Sequence, residues 1–335
     1  MTELDYFADV AHFDRPRSIA ERAARAEELG YRTITVGETT GWNVVTPLSL
    51  IAERTDEIAL GTAVLSPYGR SPALLAQTAL TLADASDGRF RLGLGPSSPA
   101  ITERWHGRSF DRPLRRLRET VEAVRTVTTE GTSKYHGDVI DADGLGYERE
   151  RPATPPPIDL ATLGPTATEL AGRFGDGWIP QLFTRDGLES RLGDLRRGAE
   201  LGGRTVDDIR VSPMVRCVVD EDRDRARSLA RSAVAFMLGA YGPFYGDSVA
   251  KQGYPDVVAD IRDAWAERDA DAMTAALPDV LLDELAATGS ADEVREWVAD
   301  YAAIDGVDAV AVTFVRGMDD EDRDRTMTAL AELMD

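Results

Sequence analysis

Short apolar or β-branched runs alternate along the chain with longer stretches whose apolar positions recur at helical spacing. That alternation argues for βα units and a parallel sheet. Strands are predicted at Leu4–Val10, Thr33–Gly37, Ile58–Leu65, Arg89–Gly95, Pro157–Thr162, Gly177–Leu182, Ile209–Val219 and Val307–Phe314. Helices are predicted near Pro16–Leu29, Pro47–Arg54, Pro72–Ser86, Pro113–Thr129 and onward from Pro165. Gly30 is placed to stop the first of them, where a helix end favours a residue that accepts positive φ. Another helix opens at Ser290, and a last one closes the chain. Two stretches fall outside the repeat. Residues 133–150 are polar and Gly-rich and read as a hairpin insertion, and residues 220–286 read as a helical insertion longer than one barrel helix. Eight strands, each followed by a helix, fit an α/β fold, a (β/α)8 TIM barrel with insertions, forming one domain over 1–335. An open doubly wound sheet shares the alternation.

Composition narrows the function. The 335 residues are 43% hydrophobic, enough for a large core, and carry a formal net charge of -21. The only lysines are Lys134 and Lys251, so arginine supplies nearly all the positive charge. A broad acidic surface repels nucleic acid and anionic membranes. It suits a halophilic, archaeal-type protein of a salt-rich cytoplasm, where salt screens the repulsion among carboxylates. The single cysteine, Cys217, lies in the apolar run VSPMVRCVV, permits no intrachain disulfide and reads as a buried strand residue. The N-terminus has no basic and apolar leader pattern, and no apolar run approaches the ~18 residues of a membrane span. A cytoplasmic location is expected.

In a barrel the active site forms at the C-terminal strand ends. Asp9 and His12 follow the first strand, Glu38 the second, and the segment LSPYGR, residues 65–70, the third. Paired carboxylates at neighbouring strand ends serve acid–base work or orient a polar ring edge; solvated surface acids are the competing reading. GLGPSS after strand four lets backbone approach a flat ring closely. TLGPTAT after strand five is a strand, a Gly-Pro turn and a helix start, whose free N–H groups suit a phosphate, with Thr162 and Thr166 as added donors. His106, Trp42 and Trp105 occupy mouth loops, where they either serve a ligand or pack the loop. No His, Cys, Asp and Glu spacing suggests a metal site, and no nucleophile elbow or P-loop is present.

Taken together these segments resemble a known family. GTAVLSPYGRSPALLAQTALTLADASDGRFRLGLGPSSPA, residues 61–100, is similar to the central block of luciferase-like flavin and deazaflavin enzymes. The likeness continues through RAEELGYRTITVGE, WHGRSFDRPLRRLRETVEAVR, ATLGPTATELAGRFGDGW and ATGSADEVREWVADYAAIDGVDAVAV. Within that family the chain looks most like F420-dependent reductases of methylenetetrahydromethanopterin and related oxidoreductases. The resemblance implies a TIM barrel of the bacterial luciferase-like type, coenzyme F420 as cofactor with FMN as the alternative, and hydride transfer to or from a small organic substrate such as a methylene-tetrahydropterin. It implies a bulge with a non-prolyl cis peptide at Ala63–Val64. It places the cofactor against Thr39, Thr62, Ala63, Val64, Gly95, Pro96, Ser97 and Ser98, and its phosphate at Thr162, Gly164, Pro165 and Thr166. Asp9 and Glu38 match acidic family positions. Thr39 stands where the family often has His, and Ser98 where it often has an acid, for which Glu103 is the candidate substitute. These departures leave three readings: an F420 oxidoreductase, an FMN monooxygenase, and a non-catalytic flavin-binding member. Family analogy also implies a homodimer or higher homo-oligomer.

Overall fold

A computed structural model describes residues 2–334. They form two compact bodies, one of Phe7–Ile179 with Asp194–Arg210, the other of residues 2–6, 180–193 and 211–334.

The first body takes the end of β1 (Leu4–Ala8), then β2 (Thr33–Val36), β3 (Ala59–Thr62), β4 (Phe90–Leu94), a hairpin of β5 (Thr132–His136) and β6 (Asp141–Gly146), then β7 (Ile158–Leu160) and β8 (Gly177–Trp178). Strands β2, β3, β4, β7 and β8 lie side by side and parallel, with Thr33 opposite Ala59, Leu60 opposite Phe90, Leu92 opposite Ile158 and Asp159 opposite Gly177. Helices α1 (Pro16–Glu28), α2 (Val45–Arg54), α3 (Pro72–Ala85), α4 (Pro113–Glu130) and α5 (Pro165–Phe174) connect them, each packing on the next in sequence. Four of these five start on proline, whose fixed φ and missing N–H suit a first helical position. Gly30, at φ 87°, ends the first as expected. Because the strands are parallel, every strand-to-helix loop of this body leaves the same edge of the sheet. Ile34, Leu60, Phe90, Leu92 and Trp178 are buried completely beneath that edge.

Helix α6 (Arg185–Leu201) and β9 (Arg210–Val211) bring the chain to the second body, which holds β10 (Met214–Val219), β11 (Ala286–Gly289) and β12 (Val310–Thr313), with β10 parallel between the other two. Between β10 and β11 come α7 (Arg223–Gly239), α8 (Pro243–Ala250), α9 (Pro255–Ala266), α10 (Ala270–Ala275) and α11 (Asp279–Leu285). That is the helical stretch expected from 220 to 286. Helix α12 (Ala291–Ala302) opens at Ser290 with a capping box to Glu293, and α13 (Asp320–Ala331) opens with one between Asp319 and Asp322. Among the described residues no helix is long and apolar enough to cross a membrane.

Three expectations change. The strand expected at Ile209–Val219 is broken at Ser212–Pro213, because Pro213 has no N–H for a ladder and the Ser212 hydroxyl donates instead to the buried Asp5 carboxylate at 2.6 Å. The strands expected at Pro157–Thr162 and Gly177–Leu182 shrink to Ile158–Leu160 and Gly177–Trp178, each flanked by a proline that offers only its carbonyl. Strand β11 was not expected: its Ala-Ala-Thr-Gly run continues a leucine-rich helical pattern with no sequence signal for the switch.

The hairpin hangs on one buried carboxylate. Glu119 of α4, fully buried, accepts the N–H groups of Val139 at 2.8 Å, Ile140 at 2.9 Å and Asp138 at 3.1 Å. Burial opposes its charge, but those three N–H groups and Arg115 outweigh it and hold the carboxyl below its ordinary 4.5. A lowered folded value means a stabilisation that is complete above the ordinary value and is lost as pH falls through the folded one. Glu119→Gln is therefore expected to cost about 1–3 kcal/mol of stability at neutral pH by placing an amide donor against those N–H groups. The deficit relative to wild type should shrink in urea unfolding below the ordinary carboxylate range. A deficit independent of pH would contradict this account.

Candidate active site at the strand ends of the first body

The centre of the edge is a break in β3. After Thr62 the chain passes through a cis peptide bond between Ala63 and Val64, then rejoins the sheet at Leu65, which bridges Leu94. The cis peptide lies at the position implied by the family resemblance. Ala63 N–H still donates to Val36 at 3.0 Å and Leu65 N–H to Gly93 at 2.9 Å. The buried Thr62 hydroxyl bridges the gap, donating to the Gly93 carbonyl and accepting the Gly93 N–H, both at 2.8 Å. Thr62 thus points into the sheet, while Ala63 and Val64 are half-exposed.

Glycines clear the surroundings of that peptide. A Cβ on Gly93 would stand 1.7 Å from the Thr62 carbonyl oxygen, one on Gly95 2.7 Å from Val64 Cγ2, and one on Gly37 3.1 Å from the Ala63 carbonyl oxygen. No L side chain fits at Gly93. The outcome is a small, half-exposed apolar shelf at Ala63–Val64, flanked by backbone.

The carboxylates of the first two loops are held differently. Glu38 is paired by both oxygens with the Arg70 guanidinium, one contact at 2.8 Å, and its Oε2 also accepts Val44 N–H at 2.9 Å. The pair is largely withdrawn from solvent, with side-chain exposures of 17% for Glu38 and 8% for Arg70. It ties the loop after β2 to the loop after β3. Asp9 accepts Ala11 N–H at 2.9 Å and so caps a short turn, Val10–His12. Asp9 also lines a cleft of about 210 Å³ with Val10, Ala11, Thr39, Thr40, Gly41 and Trp42. The structure therefore brings Asp9, Thr39 and Trp42 together, and engages Glu38 with Arg70. Arg70 was passed over in the sequence; a lone arginine after one strand and a glutamate after the neighbouring strand is the signal that could have found it.

After β4, Gly95 is buried and Pro96, Ser97 and Ser98 are half-exposed, with Ser97 at φ 66°. A π-helical turn, Ala100–Trp105, follows. Ser97 accepts the Thr102 hydroxyl at 3.3 Å, and Ser98 accepts Thr102 N–H on its carbonyl at 2.9 Å. Ser98, where an acid was looked for, supports the turn. Glu103 on that turn is exposed. The His106 ring lies against the backbone of Gly69, 2.9 Å from where a Cβ would be.

At the end of β7, Gly164 precedes α5 with no side chain capping the helix, no acid in its first turn, and open space where a Cβ would project. Pro165 and Thr166 are exposed, whereas Thr162 is buried and its hydroxyl has no partner among the described residues. The Thr162 carbonyl accepts the Trp178 indole N–H at 3.1 Å, which fixes the turn. Free helical N–H groups and an open approach suit an anion, while the Thr162 hydroxyl is closed off from solvent. In the second body Cys217 is buried in β10, where burial pushes its thiol well up, so it is not a thiolate nucleophile.

Residues 3–308 match the model of the family described as luciferase-like monooxygenase. The chain is 31% identical over 319 residues to a Mycobacterium tuberculosis protein that bears the name coenzyme F420-dependent oxidoreductase Rv3520c, covering 89% of this chain and 91% of that one. It is 29% identical over 264 residues to a 5,10-methylenetetrahydromethanopterin reductase of Archaeoglobus fulgidus, covering 78% of each. Among solved structures, the coenzyme F420-dependent tetrahydromethanopterin reductase of Methanopyrus kandleri superposes with a TM-score of 0.84 at 21% identity, covering 99% of this chain and 97% of that one. The last likeness fixes the fold as α/β of the TIM-barrel type. The chain belongs to the luciferase-like family and, within it, to the branch of F420-dependent oxidoreductases.

Proposed function

We propose that the chain binds coenzyme F420 at this edge and catalyses hydride transfer between its deazaflavin ring and a small organic substrate. The observation that carries the reading is the Ala63–Val64 shelf cleared by Gly37, Gly93 and Gly95, a surface shaped for a flat ring. The open N-terminus of α5, with no side-chain cap and no acid in its first turn, fits the phosphate of the same molecule. When bound, the cofactor supplies a two-electron hydride carrier at its ring carbon C5.

The protein's own task is position and exclusion of water. Val64 and Ala63 would back one face of the ring, and Thr62 keeps that backing in place. Thr39 and Trp42 would form the wall of the substrate cleft. Asp9 is the carboxylate of that cleft, and among the described residues its Oδ2 has no hydrogen-bond partner, which leaves it open toward a substrate. Glu38 is a positioning residue in this scheme: its pair with Arg70 fixes the loop that carries Thr39.

The direct test is a fluorescence titration of purified protein, in high potassium chloride, with F420 and separately with FMN. Saturable binding of F420 but not FMN is expected. FMN binding without F420 binding would move the protein to monooxygenase chemistry, and binding of neither would refute the cofactor reading.

The two carboxylates should separate under substitution. Asp9→Asn is expected to keep F420 affinity and lower kcat about 10²–10⁴-fold. Arg70→Met strands Glu38 in a partly buried place; it should cost about 2–4 kcal/mol of stability and raise KM more than it lowers kcat. Full turnover by Asp9→Asn would remove the acid–base role, and an unaltered KM in Arg70→Met would remove the positioning role.

A further inference from the structure

We propose that His106 and Tyr68 are positioning residues for the candidate site: through the loop after β3 they fix Arg70, and through Arg70 and Glu38 they fix the cleft loop that carries Thr39 and Trp42. The inference rests on the reading of that cleft as the substrate site, and it names residues outside the cleft lining that set its shape.

The loop after β3 has two firm ends. Leu65 N–H donates to Gly93 in the sheet at 2.9 Å, and Ser71 caps α3 by accepting Leu74 N–H at 3.2 Å. Between them Ser66 tightens a turn, its hydroxyl accepting Tyr68 N–H and its carbonyl Gly69 N–H, both at 3.2 Å. Arg70 follows this turn and pairs with Glu38, one contact at 2.8 Å, in a place where the arginine side chain is only 8% exposed. An ion pair withdrawn from water depends on its geometry, because both partners have given up solvation. What fixes Tyr68 and Gly69 therefore fixes the pair.

The segment ahead of α4 supplies that fixation. The hydroxyl of the buried Tyr68 donates to the Asp111 carbonyl at 3.0 Å. The Tyr68 ring meets Phe110 at 5.6 Å between centroids, and the Arg116 guanidinium lies 4.9 Å over it. At the next residue the His106 ring takes the space of a side chain: a Cβ on Gly69 would stand 2.9 Å from His106 Cε1 and 3.2 Å from Nε2. Gly69 does not sit at positive φ, so the ring and not the backbone turn calls for glycine there. The segment is itself held. His106 N–H donates to Ile101 at 3.1 Å, and Arg108 N–H to the carbonyl of the buried Thr102 at 3.0 Å. Arg112 stands at φ 43°, a left-handed conformation that a non-glycine residue keeps only where its surroundings impose it.

The contacts form one path. Segment 106–111 grips Tyr68 and Gly69, Arg70 follows them in the chain, and its guanidinium takes Glu38. Glu38 in turn accepts Val44 N–H at 2.9 Å and so closes the loop whose residues 39–42 line the cleft. Removing the His106 ring or the Tyr68 hydroxyl frees Arg70 to shift, and residues 39–42 move with Glu38.

The test needs no cofactor. The full-length protein is labelled with 5-fluorotryptophan, and the Trp42 fluorine resonance is identified by its loss in Trp42→Phe. Arg70→Met gives the reference displacement, with Glu38→Gln as a second reference in case Arg70→Met does not fold. His106→Ala, Gly69→Ala and Tyr68→Phe are each expected to move the Trp42 resonance toward that reference, and to move it no further when combined with the reference substitution. The resonance of Trp178, fully buried in β8, should stay in place throughout. A Trp42 resonance unmoved in His106→Ala and Tyr68→Phe, displacements that add fully to the reference, or a Trp178 resonance that moves alongside would overturn the proposal. The F420 titration of wild type reads the other premise separately: absence of binding there would refute the cofactor reading, and with it the substrate role of the cleft, without moving any of these resonances.

Discussion

One hydroxyl group organises the candidate site. Where β3 leaves the sheet at Ala63–Val64, the ladder with β4 would be left with an unmet N–H and an underused carbonyl at Gly93. Thr62 meets both from its side chain, and Gly93 admits that contact because any Cβ there would collide with the Thr62 carbonyl. A buried backbone group without a partner costs about 1–3 kcal/mol, so this exchange lets the sheet tolerate a break at its C-terminal edge. The break turns two strand residues outward into a shelf, and the Glu38–Arg70 pair ties the loop after β3 to the loop after β2, whose residues 39–42 line the cleft with Asp9.

A chain with so many acids uses several of them as backbone acceptors. Glu119 gathers the hairpin turn, Glu27 gathers the N–H groups of Asp56, Glu57 and Ile58 ahead of β3, and Asp9 caps its own turn. Others are matched to arginine: Asp322 hydrogen-bonds Arg225, then Arg325, which brings its carboxyl down to about 2 despite partial burial. These uses are structural. They show why a carboxylate at a strand end is not by itself an acid–base group, and why the local partners of Asp9 and Glu38 matter more than their positions in the chain.

Much of the fold was legible in the sequence because periodicity and punctuation agree. Apolar runs marked β1 to β4, prolines marked the starts of α1, α3, α4 and α5, and Gly30 and Ser290 marked a helix end and a helix start. The breaks at Pro157, Pro180 and Pro213 were readable in principle, since proline removes a ladder donor, but the surrounding apolar runs masked them. Strand β11 had no local signal; its pairing with β10 decides it. At the site, the Ala63–Val64 cis peptide was readable through family likeness. The pairing of Glu38 with Arg70, the cap made by Asp9 and the bridging by Thr62 were not, because each depends on which side chain faces which neighbour across 2 to 32 residues of chain.

The central claim of the proposed reading is that the Thr62 hydroxyl holds the surface on which the deazaflavin ring would rest. Its most direct test is the F420 affinity of Thr62→Val beside Thr62→Ser, each shown to be folded by its unfolding midpoint. Serine keeps the hydroxyl and should bind within about threefold of wild type; valine keeps the shape and loses both bonds to Gly93, and should bind at least about tenfold more weakly. Valine binding as tightly as wild type would contradict the account.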